Sequence, residues 1–162
     1  MSEERTIKLD RLRFTKNTTS SRLAILAILF DVFFFVSIYK SNVGTYYYNI
    51  LIGASIIYNL VFMLASFLAS EGVKNYKAGY SWLLIALGVI QIARIFILPL
   101  SAHAASVRVN GVQTIAMGDA QFIRVVIYLI VSAVCLFASA VVNLQKSRAL
   151  AAHVASLGGQ QA

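Results

Sequence analysis

The chain is poor in the residue types that carry most protein chemistry. Only 12% of its 162 residues are charged, about half the share of an ordinary soluble domain. The six acids (Glu3, Glu4, Asp10, Asp31, Glu71 and Asp119) are too scattered for the paired carboxylates of acid–base hydrolysis. A single cysteine, Cys135, excludes an intrachain disulfide and says nothing of the redox compartment. It falls inside an apolar run, where a lone thiol serves as a packing residue. The two histidines, His103 and His153, fall on opposite sides of the expected membrane and cannot share a metal or a haem within one chain. No C-x-x-C, H-E-x-x-H, G-x-S-x-G or glycine-rich phosphate loop occurs. The expectation is therefore a chain without catalytic residues, metal or cofactor.

Apolar length is what the chain has instead. Hydrophobic residues make up 59% of it, and the mean hydropathy is +0.77. Four runs stand out, Leu23–Tyr39, Ile50–Ala69, Trp82–Leu100 and Phe122–Leu144. Each is close to the ~20 residues that cross ~30 Å of hydrocarbon as a helix. Backbone in lipid must satisfy its own hydrogen bonds, which a helix does and an open sheet does not. The fold class expected is an all-α membrane protein, a four-helix transmembrane bundle with spans at about 22–40, 48–70, 80–100 and 121–145. Residues 1–21 would form a basic arm, 22–145 the membrane domain and 146–162 an amphipathic tail. The first run has no small-residue cleavage site after it, so it is expected to stay as an anchor.

Basic residues set the expected orientation. Arg5, Lys8, Arg11, Arg13, Lys16 and Arg22 precede the first run, Lys74 and Lys77 lie between the second and third, and Lys146 and Arg148 follow the fourth. The alternate loops hold only Lys40 and Arg108. The positive-inside rule then puts both termini in the cytoplasm, in a cytoplasmic membrane. The net charge of +8 reflects this bias, and no nucleic-acid partner is expected. Tyr39, Thr45–Tyr48, Tyr76, Tyr80 and Trp82 fall at run ends, as in interfacial aromatic belts.

Local signals mark the joints. Asn17–Ser21 is rich in helix-capping side chains, so the first span is expected to begin near Ser20 or Ser21. Pro99, the single proline, fits a helix that stops there. "SVRVNGVQTI" (Ser106–Ile115) predicts a small hairpin turning at Asn110–Gly111, with Val107 facing Thr114 and Val109 facing Val112. Asp119 is placed to cap the last span. Beyond it, Leu150, Val154 and Leu157 share one face, Gly158–Gly159 is a stop signal, and His153 reads as a polar-face residue.

The polar residues inside the runs are the candidates for function. Asp31, Asn59 and Gln91 sit near the middles of their runs, and Arg94 is one turn beyond Gln91. A charge at the centre of a lone membrane helix costs about 2.5–3.5 kcal/mol on insertion scales. Opposite charges at similar depth offset that cost, so Asp31 is expected to pair with Arg94, with Gln91 in support. Two stripes accompany them. Tyr48, Ser55, Asn59, Ser66 and Ser70 share one face of the second span; Arg124, Tyr128, Ser132, Cys135, Ser139 and Asn143 line one side of the fourth. Such stripes serve as packing glue between helices or as a polar path. Two functions follow. One is a non-catalytic subunit or accessory factor, packed in the bilayer against other membrane subunits or copies of itself. The other is a small oligomeric transporter or channel that uses Asp31 with Arg94.

Overall fold

A computed structural model describes residues 3–40 and 49–158. The elements are α1 (Glu3–Phe14), α2 (Thr18–Ile38), α3 (Asn49–Lys74), α4 (Ala78–Ile97), α5 (Pro99–Ala104), β1 (Ser106–Val109), β2 (Val112–Ile115) and α6 (Asp119–Gly158). Thr45–Tyr48, including the stripe residue Tyr48, lies outside the described residues. Four helices are long and apolar enough to cross a membrane, and they are consistent with an integral, multi-pass membrane protein. α6 packs along both α2 and α4, and α2 also packs on α3, while α3 and α4 touch more lightly.

The residues before the first span contain a helix, α1, where the sequence offered no periodic signal. Its end lies against the far end of α6: His153 is 5% exposed, and its Nε2 is 2.7 Å from Asp10 Oδ1. His153 is thus a contact residue, not a solvated one. α2 begins at Thr18, two to three residues before the expected Ser20 or Ser21. Asn17 caps it, its side chain accepting from Ser20 N–H at 3.4 Å. Ser20 and Ser21 cannot serve as caps because their hydroxyls are committed to neighbouring helices.

α3 ends in a paired closure. Lys77 N–H donates to Gly72 O at 3.3 Å and Tyr76 N–H to Val73 O at 3.1 Å, with Tyr76 left-handed at φ 57°. That is the Schellman pattern, in which glycine is the usual left-handed residue. It reverses the chain within three residues into α4. α4 stops at Ile97, just before Pro99, as expected, and Pro99 also opens α5, since its missing N–H is one that a helix start leaves unpaired.

The hairpin pairs Val107 with Thr114 and Val109 with Val112. Asn110 (φ 52°) and Gly111 (φ 84°) make the turn, the positive angles that a two-residue type I′ turn requires. One side rests on the helices, with Val107 8% and Met117 1% exposed, while Val112 and Ile115 face outward. Asp119 is the first residue of α6 and not the residue before it. Gly118 O accepts from Gln121 and Phe122, and the Asp119 charge still suits the positive end of the helix dipole. α6 then runs 40 residues without a break, about 60 Å by helical rise, so the expected tail is the continuation of the last span.

Polar and apolar layers alternate along the four long helices. Near the hairpin, Phe34, Ile38, Val125, Leu129, Ala102 and Met117 form one apolar cluster. Toward the termini, Ala24, Ala27, Phe62, Leu84, Leu87 and Leu136 belong to another. Cys135 sits in this second cluster, which removes it from any polar path. Between the two clusters lies the first polar layer, and beyond the second cluster lies another.

Candidate functional site

The middle layer takes one or two residues from each long helix. The three-residue step from Gln91 to Arg94 and the facing position of Asp31 put all three side chains at one level. Arg94 Nη1 donates to Asp31 Oδ1 at 2.8 Å and to Gln91 Oε1 at 3.0 Å. Arg94 Nη2 donates to Asn59 Oδ1 at 2.7 Å. Gln91 Nε2 donates to Asp31 Oδ1 and to Ser132 Oγ, both at 3.0 Å. Ser132 then donates to the backbone oxygen of Ala27 at 2.9 Å. Asp31, Asn59, Gln91 and Ser132 are fully buried, and Arg94 is 7% exposed.

Aromatic rings close the guanidinium from two sides. The Arg94 carbon is 4.5 Å from the Phe34 ring centre and 4.8 Å from that of Tyr58, within cation–π range. Neither ring belongs to the residues expected from the sequence. Phe34 sits one turn from Asp31, and Tyr58 adjoins Asn59, so helical spacing could have pointed to both.

Three buried polar atoms have no hydrogen-bond partner among the described residues: Asp31 Oδ2 and Asn59 Nδ2 in this layer, and Ser66 Oγ two turns further along α3. A buried group left in this state costs about 1–3 kcal/mol. Asp31 is therefore half-satisfied: one oxygen accepts two bonds and the other none.

A second layer ties the helices together near the termini. Asn143 accepts from Asn17 Nδ2 at 3.1 Å and donates to Ser81 Oγ at 2.8 Å and to Lys77 O at 3.2 Å. Ser20 donates to Ser139 O at 2.6 Å, and Ser139 donates back to Ser20 O at 2.7 Å. Ser21 and Ser70 hydroxyls meet at 2.9 Å, and Lys146 Nζ reaches Asn17 Oδ1 at 3.1 Å. Asn17, Ser20, Ser21 and Ser81 were legible only as caps or isolated serines. Ser81 shares a face with Leu84, Gly88 and Gln91, and that spacing is the signal that marks it.

The expected stripes break up on inspection of their neighbours. On α3, Asn59, Ser66 and Ser70 face inward, whereas Ser55 is half-buried beside Tyr58. On α6, Ser132, Ser139 and Asn143 point into the two layers and Cys135 into the apolar cluster between them. Arg124 is exposed, and Tyr128 packs by its ring on Phe30 and Phe33 at 6.3 and 5.8 Å. The candidates thus form two separate layers, each with apolar packing on its flank, and no continuous row.

Chemically, the middle layer holds a compensated charge pair in a dry setting, with donors and acceptors drawn from every long helix. It brings no nucleophile next to a base. Among the described residues no group of three or more His, Cys, Asp and Glu is placed to hold a metal ion. The chain matches no family model, no curated protein and no solved structure, so its role rests on this geometry.

Proposed function

We propose that the chain is a non-catalytic subunit or accessory factor of a cytoplasmic membrane. In this reading it forms a four-helix transmembrane bundle with both termini cytoplasmic and packs into a larger membrane complex or a homo-oligomer. The observation that carries the proposal is the direction of the polar groups. Both layers turn inward, and within each the polar groups bond from helix to helix across α2, α3, α4 and α6, so they fix the helix arrangement. Interhelical bonds of this kind contribute about 0.6 kcal/mol each on average, which favours one arrangement over others more than it adds raw stability. The outward faces are apolar. α3 is the least covered span, with Ile57, Leu60, Val61, Leu64, Phe67 and Leu68 exposed. A rigid unit with such a face suits assembly within the bilayer. Purification from native membranes in mild detergent, followed by native mass spectrometry, tests this. A reproducible complex or oligomer that cross-links through α3 supports it; a lone monomer without partners refutes it.

A second reading, a small transporter or channel, draws on the unpartnered Asp31 Oδ2, Asn59 Nδ2 and Ser66 Oγ. Polar atoms left open in the middle of a span are where an ion or proton would engage. Proteoliposome flux that Asp31→Asn abolishes without unfolding supports transport. Rescue of folding by exchanging the two residues (Asp31→Arg with Arg94→Asp), with no flux at any stage, assigns the pair to structure alone.

A further inference from the structure

We infer that the cleft between α3 and α4 binds an uncharged, lipid-soluble molecule through a carbonyl oxygen. The cavity there has a volume of about 280 Å³. An apolar cavity of about 150 Å³ accepts benzene, so this one has room for a substituted ring or a bent chain. Its α4 wall is one helical face, Ile90, Ala93, Arg94 and Ile97, at steps of three, one and three residues. Its α3 wall is Ala54, Ser55 and Tyr58. The space exists because each wall carries an alanine where a larger apolar side chain would close the gap. Ile90, Ala93 and Ile97 are exposed, so the cavity is reached from the side, through the lipid-facing surface.

The polar groups at its walls ask for an acceptor. The Arg94 side chain is 9% exposed, and its bonds to Asp31, Gln91 and Asn59 use three of the five donors of a guanidinium. Tyr58 and Ser55 hydroxyls make no hydrogen bond among the described residues, and the Tyr58 ring lies against the guanidinium. An incoming oxygen can therefore accept from Arg94 and from Tyr58 together.

Charge selects the kind of acceptor. Asp31, 2.8 Å away, already balances Arg94. A carboxylate or phosphate would leave a net negative charge in a dry site, where unpaired charge is strongly disfavoured. A neutral carbonyl accepts the same N–H without that cost. Depth narrows the choice further. Arg94 is one turn from the centre of its run, whereas phospholipid ester carbonyls sit near the hydrocarbon edge, about 15 Å from the middle. The ligand must carry its carbonyl into the hydrocarbon, as a quinone-type ring does and as an uncharged diacylglycerol could by sinking.

Equilibrium binding to the purified full chain tests this with three probes: a benzoquinone with one isoprenoid unit, dioleoylglycerol and oleate. Saturable binding of one neutral probe per chain is expected, and the tighter of the two identifies the source of the carbonyl. Ala93→Phe, and from the other wall Ala54→Phe, should weaken that binding at least about tenfold while leaving thermal stability unchanged. Tyr58→Phe should weaken it about two- to tenfold, the loss of one hydrogen bond. No saturable binding of either neutral probe, tighter binding of oleate, or full affinity in both alanine variants overturns the inference. The measurement uses the isolated chain, so its outcome is separate from that of the assembly test.

Discussion

Replacing either member of the buried pair gives the sharpest test of what holds the helices in place. Arg94→Gln leaves Asp31 with a single donor, Gln91 Nε2 at 3.0 Å, and with no opposite charge. An uncompensated charge at mid-span costs about 2.5–3.5 kcal/mol, and breaking a buried pair from one side costs about 3–5 kcal/mol. We therefore expect a loss of about 3 kcal/mol, roughly 150-fold in the folded-to-unfolded ratio. Asp31→Asn should lose less, about 2 kcal/mol, because a long cationic side chain can reach toward the membrane surface and a carboxylate cannot. The double variant carries no charge. It loses or weakens four bonds at about 0.6 kcal/mol each, so it should cost about 2 kcal/mol in total. The singles would sum to about 5, which makes the expected coupling about 3 kcal/mol, at the top of the usual range for contacting residues. Unfolding by SDS in mixed micelles, followed through the single Trp82, measures all three. A double variant as unstable as the sum of the singles would show that charge compensation is not what the pair contributes.

Three further outcomes follow from close contacts elsewhere. Gly72→Ala would put a methyl 2.2 Å from Tyr80 Cγ, at the base of a ring that cannot swing aside. It should cost about 1–3 kcal/mol in the same assay, and Tyr80→Ala should recover part of that loss. Asn143→Leu removes partners from Asn17, Ser81 and Lys77 O; a loss of about 2 kcal/mol is expected at ~0.6 kcal/mol for each bond, and a change below ~0.5 kcal/mol would contradict the structural weight given to that layer. Asp10→Asn or His153→Ala weakens the 2.7 Å contact that holds α1 to α6. Limited trypsin cleavage at Arg11, Arg13 and Lys16 should then accelerate several-fold with no change in mixed-micelle stability.

The four long apolar helices were legible because hydrocarbon thickness imposes a length and an apolar content that few other sequences share. The hairpin was legible in full register, since Asn110–Gly111 fixes the turn and alternation fixes the pairs. Capping was harder to read. Asn17, Ser20 and Ser21 can all cap a helix, and only the neighbouring Ser139 and Ser70 decide which of them is free to do so. The helix before the first span and its Asp10–His153 contact were not readable either, because residues 143 positions apart leave no local pattern.

By itself the sequence determined that Asp31 and Arg94 each need a partner, because a charge in an apolar run has an energy no local structure can relieve. It did not determine the company that pair keeps. The Asn59 and Ser132 contributions, the rings on either side of the guanidinium and the open space next to it depend on how each helix is rotated. That rotation is set by side chains from several helices meeting at once. Periodicity describes one helix and its faces; only the packing of all four decided which faces meet, and at what level.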